Sequence, residues 1–141
     1  MEAIPPDPLS AVASCVTRLC QALDGRDLAL LAAQLAPDLH WTIVGRPDRF
    51  PFGGTRPRAE MIDGIAASLG TFREFAFEVV AAAQAGDTAF VEARAKGTAA
   101  GGAIYQNLYL MRLRIRDDLV FDVLEHYDPF EALAYVEQLN G

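Results

Sequence analysis

The sequence predicts a single α+β domain in which a curved, mainly antiparallel sheet wraps around its helices. Two helical patterns come first, followed by one strand, a third helix, four strands in hairpin order and a closing helix. Helices segregated from hairpin-linked strands are typical of α+β domains. The chain has 141 residues and is 52% hydrophobic, which suits one domain with a substantial core. We therefore expect one domain over residues 1–141, with a proline-rich leader at residues 1–7.

Capping residues and prolines mark the ends of four predicted helices. Asp before a first turn, Pro within it and Gly after a last turn are the usual signals of helix ends. These signals predict helices that begin after Asp7, after Asp27, at Pro57 and after Asp128, and that end at Gly25, before Pro37, at Gly70 and at Leu139.

Alternation of apolar and polar residues predicts five strands, within residues 39–45, 75–83, 88–96, 103–116 and 119–127. Gly86-Asp87 forms the turn between the second and third strands, and Asp117-Asp118 forms the turn between the last two strands. In the first strand, Leu39, Trp41 and Ile43 share one face. The stretch between Gly45 and Thr55 is the least regular part of the chain, and its phenylalanines suit a flap over a cavity mouth.

One face of the last two strands mixes aromatic rings with polar groups. Side chains switch faces at each residue, so Tyr105, Asn107 and Tyr109 share a face, and residues 121, 123, 125 and 127 have the same parity on the next strand. Apolar walls with a few polar groups suit a pocket for a small apolar or partly oxygenated molecule. The predicted substrate-binding residues are Tyr105, Asn107, Tyr109, Tyr127, Trp41, Phe52 and Met111. For Asn107, a backbone contact that holds the hairpin is the alternative, and for Trp41 the alternative is packing in the core.

Composition argues against several classes of partner. The 12 Lys and Arg against 19 Asp and Glu give a net charge of −7, which repels nucleic acid. No apolar run approaches the roughly 20 residues that cross a bilayer, and the first residues lack the order of a signal peptide, so we expect a cytoplasmic protein. Cys15 and Cys20 point apart on a helix, so no disulfide is expected. No metal-ligand or nucleotide-loop spacing is present, and we predict no cofactor.

Four short motifs follow one another along the chain: Ala22-Leu-Asp-Gly-Arg-Asp-Leu28 with Leu35-Ala-Pro-Asp38, Phe52-Gly-Gly-Thr55, Tyr105-x-Asn107-x-Tyr109, and Glu125-His-Tyr-Asp-Pro129. With the order of the elements, they resemble the nuclear-transport-factor-two-like superfamily, and especially its SnoaL-like branch of polyketide cyclases and ketosteroid isomerase relatives. The resemblance spans nearly the whole chain. It implies a cystatin-like cone with a ligand cavity, and a homodimer, because members of this superfamily commonly dimerise.

The resemblance does not bring the catalytic residues of ketosteroid isomerases with it. Aligned to those enzymes, Leu19 stands at the oxyanion-binding tyrosine, Ile43 at the aspartate that moves the proton, and Met111 near the second oxyanion donor. Enolisation requires a base to take the proton and donors to hold the developing charge. Ketosteroid isomerase activity is therefore not expected.

A second comparison, with limonene-epoxide-hydrolase-like members of the same fold, implies a catalytic carboxylate. Those proteins use an Asp-Arg-Asp trio, and Glu125 occupies the place of the carboxylate that activates water on the last strand. Glu92 and Arg94 fall close to the other two members, although the order of charges differs. Burial raises the pKa of a carboxylate and an adjacent Arg lowers it, so Glu125 with Arg94 could be a tuned base. A structural ion pair between these two residues is the alternative.

Three functions remain open at this stage. The first is a small-molecule enzyme without a cofactor, of isomerase, cyclase or hydrolase type, with Glu125, Arg94 and Glu92 as its catalytic residues. The second is a ligand-binding protein without catalysis. The third is a dimerisation module that uses the sheet face opposite the pocket, to which we assign Leu108, Leu110 and Val91.

Overall fold

The computed structural model of the protein describes residues 7–141, so the predicted leader lies outside the described part except for Asp7. A short 3-10 helix, Pro8–Ala11, precedes four α-helices: α1 Ser14–Gly25, α2 Leu28–Ala33, α3 Arg58–Leu69 and α4 Pro129–Asn140. The six strands are β1 Leu35–Ile43, β2 Gly54–Pro57, β3 Phe72–Ala85, β4 Thr88–Ala99, β5 Ile104–Arg116 and β6 Leu119–Tyr127.

The strands form one curved sheet in the order β2-β1-β6-β5-β4-β3. Strands β1 and β6 run parallel, and the other neighbouring pairs run antiparallel. The connection between β1 and β6 spans the other strands, which brings the first strand of the chain beside the last one. The predicted α+β class and the mainly antiparallel sheet are confirmed.

The core lies between the helices and one face of the sheet, which we call the inner face; the opposite one is the outer face. Helix α1 packs on β3, α3 on β1 and α4 on β5. The largest side chains that are fully buried there are Trp41, Leu19, Leu31, Leu39, Leu113, Val16, Val120 and Val123. Apolar residues on the outer face, in contrast, include several that are about half exposed.

Local signals in the sequence account for several of the observed element ends. The Asp27 carboxylate accepts a hydrogen bond from the N–H of Leu30 at 3.0 Å, and Asp128 accepts one from Phe130 at 2.9 Å, as predicted for both caps. Asp117 and Asp118 have φ angles of 54° and 51°. Two successive positive φ angles are the conformation of a type I′ turn, whose twist matches that of the flanking strands.

The first helix begins later than predicted. Asp7 caps only the 3-10 helix, the chain is extended at Val12, and α1 starts after Ala13. The Gln84 side chain accepts a hydrogen bond from the Ala13 N–H at 2.7 Å, so this amide is paired outside the helix. Pro37 was also expected to end a helix, yet it lies inside β1. There the pairing with β6 is interrupted between Leu35 and His40, which accommodates a residue without an N–H.

Two further details differ from the expectation. Strand β2, which pairs with the end of β1, was not predicted, because its four residues are too few to show alternation. Phe121 was assigned to the inner face, but a bulge pairs Ile115 with Val120 and leaves Phe121 unpaired. Its ring instead lies under the guanidinium groups of Arg114 and Arg116, at 5.1 and 4.6 Å. Val120 takes the buried position.

Candidate functional site

Glu125 is a carboxyl group in an apolar part of the protein. It lies on the inner face of β6, opposite Met111 of β5 and beside Ile43 of β1, and both neighbours are buried. Its side chain is only 7% exposed, and it is the sole buried carboxylate among residues 7–141. Burial raises the pKa of Glu125 from 4.5 to about 7, and the nearby indole N–H of Trp41 offsets only part of this rise. The group is therefore close to half ionised at neutral pH.

The Trp41 indole is a polar group beside this carboxyl, and its N–H lowers the pKa of Glu125. Trp41 is the only tryptophan of the chain and is 1% exposed. It influences the pKa of Glu125, yet its Nε1 finds no acceptor with hydrogen-bond geometry. Buried N–H donors without a partner are rare and cost free energy, so such a donor indicates a place for a ligand or water. Trp41 is thus both a core residue and a free donor beside Glu125.

Three tyrosines face the same carboxyl from β5 and β6. The rings of Tyr109 and Tyr127 lie 5.1 Å apart, and that of Phe77 lies 6.0 Å from Tyr109. Burial raises the pKa of Tyr105 to about 12 and raises those of Tyr109 and Tyr127 well above the usual value, and the charge on Glu125 adds to the rise at each. All three phenols therefore stay protonated at neutral pH and can serve as hydrogen-bond donors.

A loop between β1 and β2 covers one end of this group. The buried ring of Phe50 lies 5.8 Å from that of Tyr127, and the exposed ring of Phe52 lies 5.4 Å from Phe50. Arg56 holds the loop by donating hydrogen bonds to the carbonyl oxygens of Phe52 and Pro51, at 2.7 and 3.2 Å. The loop is therefore an ordered cover whose inward contact is Phe50 rather than the predicted Phe52.

Glu92 and Arg94 do not belong to this site. On β4 the inner positions are the odd-numbered ones, buried Val91, Ala93 and Ala95, so the even-numbered residues project from the outer face. Arg94 is exposed opposite Leu108, and Glu92 lies opposite Leu110. The predicted pairing of Glu125 with Arg94 is wrong, and so is the assignment of Val91 to the outer face. The prediction that Glu92 and Arg94 share one face of β4 is correct, but that face is the outer one.

The other predicted residues are divided between the site and its surroundings. Tyr105, Asn107, Tyr109, Met111 and Tyr127 all lie on the inner face with Glu125. Two hollows in the surface, of about 940 and 420 Å³, lie mainly against the outer face, although Asn107 and Tyr127 also line the first and Met111 the second. Glu125 lines neither, and the ligand cavity around it stays a prediction. Within the described residues, no group of three His, Cys, Asp or Glu side chains could hold a metal ion, and no helix is long and apolar enough to span a membrane.

Two features of the site were not predicted from the sequence. The first is Arg56, which orders the loop by donating hydrogen bonds to backbone carbonyl oxygens, a contact without a sequence pattern. The unpartnered state of the Trp41 N–H was also invisible, because only coordinates show which acceptors are in reach. Alternation along β1 did indicate that Trp41 faces inward, which could have suggested its proximity to Glu125.

Comparison with known proteins places these observations in a family context. A family model described as a SnoaL-like domain matches residues 16–123. PrhC from Penicillium brasilianum is similar in structure, with 15% identity, coverage of 90% of this chain and 86% of that one, and a TM-score of 0.78. So is IdmH from Streptomyces antibioticus, a polyketide cyclase candidate, with 22% identity, 87% and 96% coverage and a TM-score of 0.70.

A third similar structure is a limonene-epoxide-hydrolase-like epoxide hydrolase from M. tuberculosis, with 15% identity, 94% and 93% coverage and a TM-score of 0.70. No curated protein of similar sequence was found. At these identities the structural likenesses show the fold. Together with the family model, they confirm the resemblance that was drawn from the motifs.

Proposed function

The chain belongs to the SnoaL-like family, and from that premise we propose that it is a cofactor-free enzyme that moves a proton on an apolar, carbonyl-bearing small molecule. Glu125 is the base and, after it has taken the proton, the acid. The buried carboxyl is the observation that supports this most. It is surrounded by apolar side chains, forms no ion pair with a described Lys or Arg, and has a pKa of about 7 because of burial. A pKa near the working pH suits a group that both removes and returns protons.

The proposed chemistry begins at a carbon next to the carbonyl group of the substrate. The Glu125 carboxylate takes a proton from this carbon, and the electron pair of the broken C–H bond moves toward the carbonyl oxygen. The unpartnered Trp41 N–H is available to donate a hydrogen bond to that oxygen, where charge develops. Return of the proton at another position gives isomerisation. Attack of the carbanion on the carbon of a second carbonyl group of the same molecule gives cyclisation: the π bond of that carbonyl opens, and its oxygen takes the proton from Glu125. A polyketide cyclase candidate among the similar structures supports this choice of substrate class.

A water-activating hydrolase is less well supported. Its trio needs a second carboxylate and an arginine next to Glu125. Among residues 7–141 no other carboxylate is buried, and Arg94 projects from the opposite face of the sheet. The neighbouring charges that this chemistry requires are therefore absent from the described part of the inner face.

Exchange of carbon-bound protons tests the proposed function without knowledge of the natural substrate. The protein is incubated in D₂O with 1-tetralone, a compact aryl ketone, and loss of the protons next to the carbonyl is followed by NMR. We expect wild-type protein to accelerate exchange, with a rate that rises around pH 7 as Glu125 ionises. Glu125→Gln should lower the rate by about 10²-fold or more, as expected for loss of a general base.

The matched control for this experiment is Glu78→Gln, which removes an exposed glutamate from the same sheet. Its exchange rate should equal that of wild type. Equal rates in wild type and Glu125→Gln would end the proposal that Glu125 is the base. Saturable binding of the ketone without any exchange would identify a ligand-binding protein instead.

We also propose that two copies associate through their outer sheet faces. Phe90, Leu108 and Leu110 are about half exposed there, at 50%, 47% and 52%, and adjoin the two hollows. Exposed apolar patches of this kind commonly mark contacts between proteins. Sedimentation should show a dimer at micromolar concentration that Leu110→Glu converts to monomer. A wild-type monomer under these conditions would contradict the proposal.

The cytoplasm is the compartment that we propose for the protein. Cys15 and Cys20 are both free and buried, and unpaired thiols are usual in a reducing compartment. Fractionation of the native cells with an antibody to the protein would test this proposal.

A further inference from the structure

Two tyrosine hydroxyl groups are bonded to each other on the inner face of β5. The Oη atoms of Tyr105 and Tyr109 are in hydrogen-bond contact, and either hydroxyl can be the donor. Asn107, which lies between them in the sequence and is 8% exposed, donates a hydrogen bond from Nδ2 to the Tyr105 Oη at 2.9 Å. The three side chains thus form one polar chain on the same face as Glu125, in which Tyr105 and Asn107 are buried and Tyr109 is half-buried.

The orientation of the Asn107 amide is fixed by backbone groups. Its Oδ1 accepts hydrogen bonds from the N–H groups of Leu108 and Asp128, at 2.9 and 3.0 Å. Its Nδ2 donates to the carbonyl oxygen of Asp128 at 3.0 Å as well as to Tyr105. A flipped amide would set NH₂ against two N–H donors and its oxygen against a carbonyl. The Asn107 side chain can therefore only donate a hydrogen bond to the Tyr105 hydroxyl and cannot accept one from it.

This arrangement leaves one hydroxyl proton without an acceptor. Tyr105 and Tyr109 carry one hydroxyl proton each, and their mutual hydrogen bond uses one of the two. The amide cannot accept the other, and no hydrogen bond from this pair to any further described side chain is present. Buried donors are normally paired, so the remaining proton indicates an acceptor that a bound molecule supplies.

Resting on the proposed function, we propose that the Tyr105–Tyr109 pair donates this remaining hydroxyl proton as a hydrogen bond to an oxygen of the ligand, and that Asn107 is the positioning residue that directs it outward. The ligand oxygen is a carbonyl or developing enolate oxygen on an apolar, ring-sized molecule, since aromatic rings surround the pair. The closest aromatic contacts are those of Tyr109 with Tyr127 and of Tyr105 with Tyr135 and Phe72. The pair also lies close enough to Glu125 for the carboxylate charge to raise both phenol pKa values.

The count of protons leads to an unusual expectation for phenylalanine variants. In Tyr109→Phe, the Tyr105 hydroxyl still accepts from Asn107 and keeps its own proton for the ligand. In Tyr105→Phe, the Tyr109 hydroxyl loses its partner and is likewise free to donate. Either single variant therefore retains one outward donor, and only the double variant loses it. A packing role would instead give additive losses.

The experiment measures hydrogen bonding to the carbonyl group of 1-tetralone labelled with ¹³C at that carbon. Isotope-edited infrared spectra report the carbonyl stretch of the bound ketone, which moves to lower frequency when the oxygen accepts a hydrogen bond. We expect the full shift in wild type and in both single variants. In Tyr105→Phe/Tyr109→Phe we expect a smaller shift, to which only the Trp41 N–H contributes, with about tenfold weaker binding, the effect of one neutral hydrogen bond. Tyr135→Phe is the control, because the Tyr135 hydroxyl bonds to Thr71 and not to the pair.

Asn107→Asp tests the positioning role with both tyrosines intact. In either protonation state, the second carboxyl oxygen of the aspartate can accept a hydrogen bond from the Tyr105 hydroxyl. The hydroxyl proton of the pair then points toward position 107 and no longer toward the ligand. The carbonyl shift should then fall to that of the double variant while circular dichroism shows a folded protein. A full wild-type shift in a folded Asn107→Asp variant, or in the double variant, would overturn the proposal, as would a decrease of the shift to the double-variant value in one single variant.

The same probe separates this proposal from the function on which it rests. Glu125→Gln should lose proton exchange and keep the carbonyl shift. A shift in wild type without exchange would contradict the role of Glu125 as the base and leave the role of the hydroxyl pair intact. Exchange without a shift would contradict the role of the hydroxyl pair and leave that of Glu125 intact. Absence of saturable binding of the ketone would overturn both.

Discussion

Replacement of Glu125 by Gln should stabilise the protein at neutral and alkaline pH. Burial raises the pKa of Glu125 from 4.5 to about 7, so between these values the folded protein holds a proton that the unfolded chain has released. The free energy of unfolding therefore falls as the pH rises through this window, and the deficit is complete above about pH 7. At about 1.4 kcal/mol for each pKa unit, the deficit is about 3 kcal/mol.

The glutamine variant lacks this titration and resembles the protonated acid in size and polarity. We expect wild type and Glu125→Gln to unfold with similar free energies near pH 4.5, and the variant to be about 3 kcal/mol more stable at about pH 8. Urea unfolding followed by the fluorescence of Trp41, the only tryptophan, measures this difference close to the substituted group. Glu78→Gln, at an exposed position, should keep the pH dependence of wild type.

Two outcomes would refute the reasoning behind this prediction. Equal stabilities of wild type and Glu125→Gln at about pH 8 would show that the carboxylate is solvated or paired in the folded protein. A variant that loses stability at all pH values by the same amount would show a structural hydrogen bond of Glu125 in place of a desolvated charge. The expected gain in stability on removal of the carboxylate is also typical of a group that is retained for chemistry.

Three other substitutions test the packing around the site. Gly97→Ala should destabilise the protein by about 1–3 kcal/mol, because its Cβ would lie 2.4 Å from the ring of Phe72; thermal unfolding measures this. Gly53→Ala would place a Cβ 2.3 Å from the backbone oxygen of Gly45 and so displace the loop between β1 and β2. Acrylamide should then quench the tryptophan fluorescence faster. Gly101→Ala is the control, because its Cβ would lie in open space and quenching should not change. Asp128→Ala should lower the free energy of unfolding by about 1 kcal/mol through loss of the α4 cap, as measured with urea.

The sequence determines most of the sheet because its signals there are local. Alternation along β5 gave the inward set of Tyr105, Asn107 and Tyr109, and the Asp117-Asp118 turn fixed where the hairpin reverses. The error at Phe121 has a physical cause: one bulge adds a residue to β6 and exchanges the faces on the far side of it. Between Asp122 and Tyr127 the pairing of β6 with β5 has no bulge, so the predicted position of Glu125 on the inner face is correct.

The error on β4 has another origin. Its inner residues are mostly alanines, so neither face is clearly more apolar, and the charged Glu92 and Arg94 were assigned to the inside by analogy. Hydrogen-bond partners across the sheet, such as the contact of Asn107 with Asp128, depend on side-chain conformations that no periodicity records. The sheet face on which a side chain lies could therefore be predicted where polarity alternates strongly along the strand. The hydrogen bonds between the side chains of the site could not be predicted.

The small residues of β4 explain why large polar rings gather on β5. Gly97, Ala95 and Ala93 lie directly opposite Tyr105, Asn107 and Tyr109. A strand of small side chains leaves volume above the sheet into which the neighbouring rings can lean, and the close approach of Phe72 to Gly97 uses the same volume. The two phenols can meet above Asn107 because nothing on β4 stands between them. The small inner residues of β4 made it hard to predict which face of this strand is buried. They are also what leaves room for the Tyr105–Tyr109 hydroxyl pair.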